Sequence, residues 1–245
     1  MSDASERPLI LVTNDDGIEA NGIRHLAACM LPLGRVVVVA PDRAQSGMGH
    51  AVTINDVLTM EKRSFPLEGI EQAWQTSGTP VDCVKLAIYE ILGKKPDLLV
   101  SGVNHGSNAS INVIYSGTMS AAVEGAVEGI PSIGFSLLDH SANADFSATT
   151  PFISRIAGQV LEKGLPIGTC LNVNFPKLVT ESIKGMKVCR QSAGHWDDAF
   201  DKRTSPSGST YYWMTGNFNN PDQGEDTDEW ALRNGYVSIV PTQFD

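Results

Sequence analysis

The sequence predicts an α/β fold: a Rossmann-like, mostly parallel sheet flanked by helices, with a C-terminal β-hairpin or arm. Residues 9–13 and 36–40 are continuous apolar runs, which are typical of strands buried on both faces of a parallel sheet. Between them, apolar residues repeat at helical spacing, so the chain is predicted to open with a βαβ unit. This helical pattern consists of Ile23, Leu26, Ala27 and Met30.

Strand-like and helix-like segments continue to alternate up to about Pro176. A helix is predicted to begin at Thr79, because a Thr N-cap is followed by Pro80 and by an acid three residues after the cap. Further helices are predicted over residues 118–129 and 152–161. Short strands are predicted at residues 96–100, 130–135, 171–175 and 236–240.

The segment from residue 191 to 229 has a different character. It is rich in Gly, Asn, Asp, Ser and Pro, and the aromatic run at residues 211–213 interrupts it. This pattern predicts an extended hairpin or arm. Because an exposed aromatic ribbon favours association, we expect the arm to contact a partner subunit. We expect one domain over residues 1–245, with a core of about 8–190 plus 236–240.

Composition restricts the partners and the location of the protein. The formal net charge of −10 argues against binding of a nucleic-acid polymer or an anionic membrane surface. No apolar run approaches the roughly 20 residues of a membrane span. Residues 1–7 contain no basic segment followed by a hydrophobic stretch, so we expect a cytoplasmic location.

The four cysteines are far apart and include no C-x-x-C pair, so neither a disulfide framework nor a zinc site is indicated. We expect them to behave as small buried hydrophobic residues. They are Cys29, Cys83, Cys170 and Cys189.

The paired carboxylates Asp15 and Asp16 follow directly after the first predicted strand. Similar polar, glycine-rich segments stand after other strands or before helices, at residues 42–47, 101–108 and 115–118. In a doubly wound sheet such segments can converge on one crevice. Two carboxylates with a hydroxyl and an amide oxygen suit Mg²⁺ or Mn²⁺, whereas an Asp-Gly turn without a ligand is the structural alternative.

Ser116, Gly117 and Thr118 stand where one of the predicted helices begins. The N-terminus of a helix offers backbone N–H groups to a phosphate, although the same residues also suit an ordinary helix cap. A cation site beside an anion site indicates phosphate-ester hydrolysis. The chain has no P-loop pattern, and Gly47 and Gly49 lack a third glycine at dinucleotide spacing, so a nucleotide-cofactor site is not supported.

Five ordered motifs closely resemble the SurE survival-protein family, and they stand at residues 12–17, 40–47, 77–84, 100–104 and 114–118. The resemblance implies a Rossmann-like core and a metal-dependent nucleoside monophosphate phosphatase. It also implies dimers or tetramers that exchange C-terminal elements. Matched position by position, the family's metal ligands fall on Asp15, Asp16, Ser46 and Asn104. His105, beside Asn104, receives no role from the family.

The resulting hypothesis is a 5′-nucleotidase, a phosphoric monoester hydrolase that acts on nucleoside 5′-monophosphates, with 3′-nucleotides as further candidates. It would use one divalent cation per subunit, Mg²⁺ or Mn²⁺, and Asp15 and Asp16 as catalytic groups; which of them accepts the proton of the attacking water stays open. A broad phosphatase or exopolyphosphatase, and a nucleotide-binding regulator without turnover, are the alternatives. The expected substrate and phosphate contacts are Asn104, Asn108, Ser116, Gly117 and Thr118.

Overall fold

The structure is a computed structural model that describes residues 7–141 and 143–244. A nine-stranded sheet forms its centre and a separate two-stranded hairpin extends from it. The strands are β1 (Leu9–Thr13), β2 (Arg35–Pro41), β3 (Met60–Lys62), β4 (Ile70–Thr76), β5 (Leu98–His105), β6 (Ser132–Leu137), β7 (Thr169–Phe175), β8 (Met186–Val188), β9 (His195–Thr204), β10 (Thr210–Asn219) and β11 (Val237–Gln243). The helices are α1 (Asn21–Met30), α2 (Pro80–Leu86), α3 (Gly117–Val127), α4 (Thr150–Lys163) and α5 (Asp228–Arg233).

The strand order is β3-β4-β2-β1-β5-β6-β7-β11-β8, and most neighbours run parallel. The antiparallel pairs are β3 with β4 and β11 with β7. The strands β2 and β4 lie on one side of β1 in the sheet, and the later strands β5, β6 and β7 lie on its other side. The predicted α/β fold is therefore confirmed, and the order of the strands reverses between β1 and β5.

Both faces of β1 are buried, which explains its uninterrupted apolar sequence. Ile10 and Val12 pack into a core that also contains residues of α1 and α4. Leu9 and Leu11 point to the other face and pack with residues of α2 and α3. The helices therefore cover both faces of the sheet.

The four cysteines are buried, and none of them forms a disulfide.

Parts of the sheet differ from the predicted elements. The prediction of a loop over residues 101–108 is wrong for its first half, because β5 continues to His105. There Asn104 and His105 pair with Ser136 and Leu137 of the neighbouring β6, so the partner strand holds this polar sequence extended. The sequence reasoning also missed β3, β4, β8 and α5.

The predicted hairpin is present as β9 and β10, which pair antiparallel over their whole length. Nearly all side chains of both strands are exposed. After the hairpin the chain returns to the body, where α5 packs on β11. The hairpin, from His195 to Asn219, is therefore shorter than the predicted arm over residues 191–229. The organisation of the chain as a single domain stays a prediction.

Within residues 7–141 and 143–244, no helix has the length and apolar character needed to cross a bilayer. The first six residues belong to the segment from which a cytoplasmic location was predicted, and they lie outside the described residues.

Candidate metal and phosphate site

The proposed carboxylates lie at the point where the strand order reverses. Asp15 and Asp16 follow β1, and Asn104 lies near the carboxyl end of β5, which pairs directly with β1. Ligands of open α/β sheets bind in the crevice at this switch point. The side-chain amide of Asn14 donates to the carbonyl of Gly17 at 2.9 Å, so a tight turn presents the two carboxylates.

Asp15 is a buried carboxylate, and helix α3 approaches it closely. The hydroxyl of Thr118 donates to Asp15 Oδ1 at 2.5 Å. Burial raises the pKa of Asp15 to about 6, and the negative charge of Asp16 adds to the increase, whereas the Thr118 hydrogen bond acts in the opposite direction. The fold thus holds two like charges side by side in a poorly solvated place.

Asp16 supplies the clearest indication of a cation. Its Oδ2 atom is buried and has no hydrogen-bond partner among the described residues, and the same is true of Asn14 Oδ1. Burial raises the pKa of Asp16, and the positive charge of a protonated His105 would lower it. Because an unpaired buried carboxylate oxygen is costly, these oxygens fit a site that a cation completes.

Asn104 and Ser46 reach the same crevice from other loops. The amide nitrogen of Asn104 donates to the Gly106 carbonyl at 3.0 Å, which leaves its Oδ1 as the atom available to a cation. Ser46 is exposed, and the preceding Gln45 donates its backbone N–H to the Asp15 carbonyl at 2.7 Å. Asp15, Ser46 and Asn104 all line one cavity of about 720 Å³.

The donor set consists of hard oxygen atoms: two carboxylates, one hydroxyl and one amide carbonyl. Across the described part of the chain, no group of three or more His, Cys, Asp and Glu side chains is arranged to hold a metal ion. Mg²⁺ and Mn²⁺ need no such group, because they accept few protein oxygens together with water and phosphate oxygens. The residues of this crevice therefore fit Mg²⁺ or Mn²⁺.

The three residues expected at the phosphate occupy the start of α3 and have different surroundings. Ser116 lines the cavity and caps the helix by accepting the N–H of Met119 at 3.0 Å. Gly117 allows close packing, since a Cβ there would stand 2.7 Å from Asp15 Cβ. The Thr118 hydroxyl is fully buried and bonds to Asp15. Their phosphate contacts stay predictions, and the N-terminus of α3 is the feature that supports them.

Asn108 is buried and lines the same cavity. Its amide nitrogen donates to Ser136 Oγ at 2.8 Å, and its backbone N–H donates to Asn174 Oδ1 at 2.8 Å. A network of polar side chains therefore holds Asn108 in place. Its predicted contact with the phosphate stays a prediction.

Several cavity residues were missed by the sequence reasoning. The hairpin contributes Trp196 and Phe218, and more distant segments contribute His140 and Glu229. The aromatic run at residues 211–213, which belongs to the arm expected to contact a partner subunit, does not line this cavity. No local signal marks Trp196, because its neighbours in the cavity come from segments far away in the sequence.

The family model described as "Survival protein SurE" matches residues 10–198. The chain belongs to the SurE family. A protein named 5′-nucleotidase SurE from Flavobacterium psychrophilum is 64% identical over 239 residues, covering 98% of this chain and 93% of the relative. A protein of the same name from Christiangramia forsetii is 63% identical over 240 residues, covering 98% and 92%.

A solved structure of a SurE protein has the same fold as this chain. The crystal structure of the SurE protein from Aquifex aeolicus matches with a TM-score of 0.83 and 42% identity, covering 97% of this chain and 94% of that one. The resemblance inferred from the five motifs is therefore confirmed, and the likeness continues beyond residue 198.

Proposed function

We propose that this chain is a metal-dependent 5′-nucleotidase, which hydrolyses nucleoside 5′-monophosphates to nucleoside and phosphate. The observation that carries the proposal is the buried, unpartnered Asp16 Oδ2 next to Asp15. Asp15 lines the cavity, and so does Ser116, the N-cap residue of α3. The relatives of the same SurE family that bear the name 5′-nucleotidase support the same activity.

Asp15, Asp16, Ser46 and Asn104 would hold one divalent cation, Mg²⁺ or Mn²⁺. Such a cation, when bound, supplies a Lewis acid for a phosphoryl oxygen and lowers the pKa of a water molecule. The protein's own groups would then orient the substrate: the backbone N–H groups at the start of α3 and the Ser116 side chain would donate to the phosphoryl oxygens. One of the two aspartates accepts the proton of the attacking water.

The charges around the cavity favour a monophosphate over a phosphate polymer. Among the described residues that line it, none is Lys or Arg, and Asp15 and Glu229 are acidic. Polyphosphate needs a track of cationic side chains along its length, whereas one phosphoryl group needs only a metal ion and a helix N-terminus. The substrate is therefore a small nucleotide, and nucleic-acid polymers and membranes are not expected partners.

Phosphate release from a panel of compounds tests this proposal: AMP, GMP, 3′-AMP and polyphosphate, each with Mg²⁺, with Mn²⁺ and with a chelator. We expect release from the 5′-nucleotides that stops in the chelator and returns when the metal is restored. Faster release from polyphosphate than from AMP would favour the exopolyphosphatase alternative. AMP binding without release under either metal would favour a regulator.

The hairpin suggests how subunits of this enzyme would associate. Trp213 and Met214 of β10 and Phe200 of β9 are exposed large hydrophobic residues on a ribbon that projects from the body. Burial of such a surface favours a homodimer or homotetramer. Light scattering coupled to size exclusion should show an oligomer, and replacement of Trp213 and Met214 by Ser should shift the protein towards the monomer.

A further inference from the structure

Two aromatic side chains at the root of the hairpin face the candidate site. Trp196 comes from β9 and Phe218 from β10, and the two residues are directly paired across the hairpin. Their ring centroids are 5.7 Å apart in an edge-to-face arrangement. Trp196 is 43% exposed although it stands at the base of the hairpin, so part of its ring is open to the cavity.

The position of this aromatic pair is set by contacts with the body. The indole N–H of Trp196 donates to Asn112 Oδ1 at 2.8 Å. The Phe218 ring packs against Gly194 so closely that a Cβ there would stand 2.4 Å from Phe218 Cζ. The Gly194 N–H donates to Ser110 Oγ at 3.1 Å. The indole is therefore held in place before any substrate arrives.

The same indole borders two adjoining spaces. Trp196, Tyr115 and Gly47 line the cavity of about 720 Å³ that contains Asp15 and Asn104. They also line a second cavity of about 480 Å³ that extends along the hairpin. A molecule with its phosphate at the carboxylates and an apolar ring at the hairpin would occupy a continuous volume.

We propose that Trp196, supported by Phe218, is the surface on which the nucleobase of the substrate stacks. This inference rests on the proposed function, because it assumes that the phosphate sits at Asp15 and Asp16. Every base has a flat π-face, and the indole N–H already bonds to Asn112. Trp196 therefore selects nucleotides over phosphate esters without a base, but it does not read the hydrogen-bonding edge of the base.

Two matched variants test the stacking: Trp196→Phe and Trp196→Leu. Both lose the hydrogen bond to Asn112 and both keep an apolar side chain, but only the Phe variant keeps an aromatic face. The measurement is kcat/KM for AMP divided by kcat/KM for ribose 5-phosphate, which lacks the base. We expect the Leu variant to lower this ratio by about 5-fold to 150-fold, mainly through KM for AMP, and the Phe variant to keep most of it.

Tyr89→Leu is the matched control, because Tyr89 is an exposed aromatic residue outside the hairpin and lines neither cavity. Its ratio should equal that of the wild type. Equal ratios in the Leu variant and the wild type would overturn the stacking proposal.

Calorimetric binding of AMP and ribose 5-phosphate in the presence of Mn²⁺ separates this inference from the proposed function. If the wild type releases no phosphate from either compound, the proposed function fails. The affinity ratio of the two compounds in the wild type and the Leu variant still decides whether Trp196 stacks on the base: a lower ratio in the Leu variant supports stacking, and an unchanged ratio overturns it.

Discussion

The crevice around Asp15 and the β9–β10 hairpin differ in how their side chains are held. Asp15 is buried, and it is fixed by the Thr118 hydroxyl, by the Gln45 backbone and by the close approach of Gly117. In contrast, the two strands of the hairpin are exposed on nearly every residue and pair mainly with each other.

This difference indicates a division of tasks. A group that is proposed to hold a metal ion needs contacts from several directions, because a displacement of about 1 Å is enough to reduce catalysis strongly. A ribbon that pairs with itself needs few contacts with the body and leaves its side chains available to a partner. Only the root of the hairpin belongs to both regions, since Trp196 touches the cavity.

The largest effect is expected from Asp15→Asn, which removes one charge from the crevice. Phosphate release from AMP at saturating Mg²⁺ or Mn²⁺ should fall by at least about 1,000-fold, because the cation loses a carboxylate ligand and the site loses one of its two candidate bases. Asp201→Asn is the control on the hairpin, where Asp201 forms an exposed ion pair with Arg203 and its replacement should leave the rate near wild type. An Asp15→Asn enzyme with wild-type turnover would remove Asp15 from the site.

Asp228→Ala tests the connection between the two regions. The fully buried Asp228 carboxylate accepts the backbone N–H of Ser110 at 2.7 Å and that of Ser192 at 3.0 Å. Its loss leaves two buried donors unpaired, so the free energy of unfolding should fall by about 2–4 kcal/mol in urea titration.

The control for Asp228 is Asp226→Ala, which breaks only an exposed ion pair with Arg190 and should cost less than about 1 kcal/mol. Equal losses in the two variants would show that the root of the hairpin is not held by Asp228.

Gly117→Ala tests whether the close packing of α3 against Asp15 is needed. A methyl group at this position would stand 2.7 Å from Asp15 Cβ and 3.0 Å from its Oδ2. We expect a loss of about 1–3 kcal/mol in stability and a fall of about 10-fold to 100-fold in kcat/KM, because Asp15 or the start of α3 must move.

Gly158→Ala is the matched helical control for Gly117. Gly158 lies within α4, and its nearest neighbour would be 3.9 Å from the new Cβ. This change should be neutral or stabilising by up to about 1 kcal/mol. A Gly117→Ala enzyme with full activity would mean that the close approach of α3 is not needed.

The smallest effect is expected from Glu124→Gln, which loosens the loop that carries Ser46. The buried Glu124 carboxylate contacts His50 at 2.9 Å and Lys85 at 2.5 Å, and Glu128 lies 4.0 Å from Lys85. The pKa of Glu124 lies below its ordinary value of 4.5, because the hydrogen bond from His50, together with Lys85, outweighs the cost of burial.

A carboxylate with a lowered pKa stabilises the folded state above its unfolded pKa, and this stability is lost as the pH falls through the folded pKa. The melting temperature of the wild type should therefore exceed that of Glu124→Gln by about 2–4 °C at pH 7. The difference should narrow as the pH falls below the ordinary value of 4.5. Glu162→Gln, at an exposed position of α4, should show no difference at any pH. A constant gap across this pH range for Glu124→Gln would contradict the ionic role of Glu124.

Hydrophobic periodicity predicted the elements that bury one or two complete faces. The apolar runs of β1 and β2 and the helical pattern of α1 are signals of local sequence, and the structure shows these elements close to their expected bounds. β4 escaped prediction because its polar and apolar residues mix on a half-exposed strand. The extension of β5 to His105 depends on its pairing with β6, which no local pattern contains.

Local patterns also predicted only part of the candidate site. Asp15, Asp16 and Asn104 were predicted because each follows or ends a strand of a recognisable motif. The role of the Thr118 hydroxyl, directed at Asp15, was not foreseen, because it depends on how closely α3 approaches β1. Trp196 was missed for a similar reason: 84 residues separate it from Asn112, its hydrogen-bond partner.

The amino-acid sequence by itself determined the α/β class and the SurE family, and it supplied the residues that we propose as cation ligands, because each of these is written in short segments with their own pattern. Only the tertiary structure decided which strands are neighbours at the switch point, which carboxylate oxygen remains unpaired and which aromatic ring borders the cavity. Those features arise from contacts between residues far apart in the chain, and a local pattern carries no information on such distances.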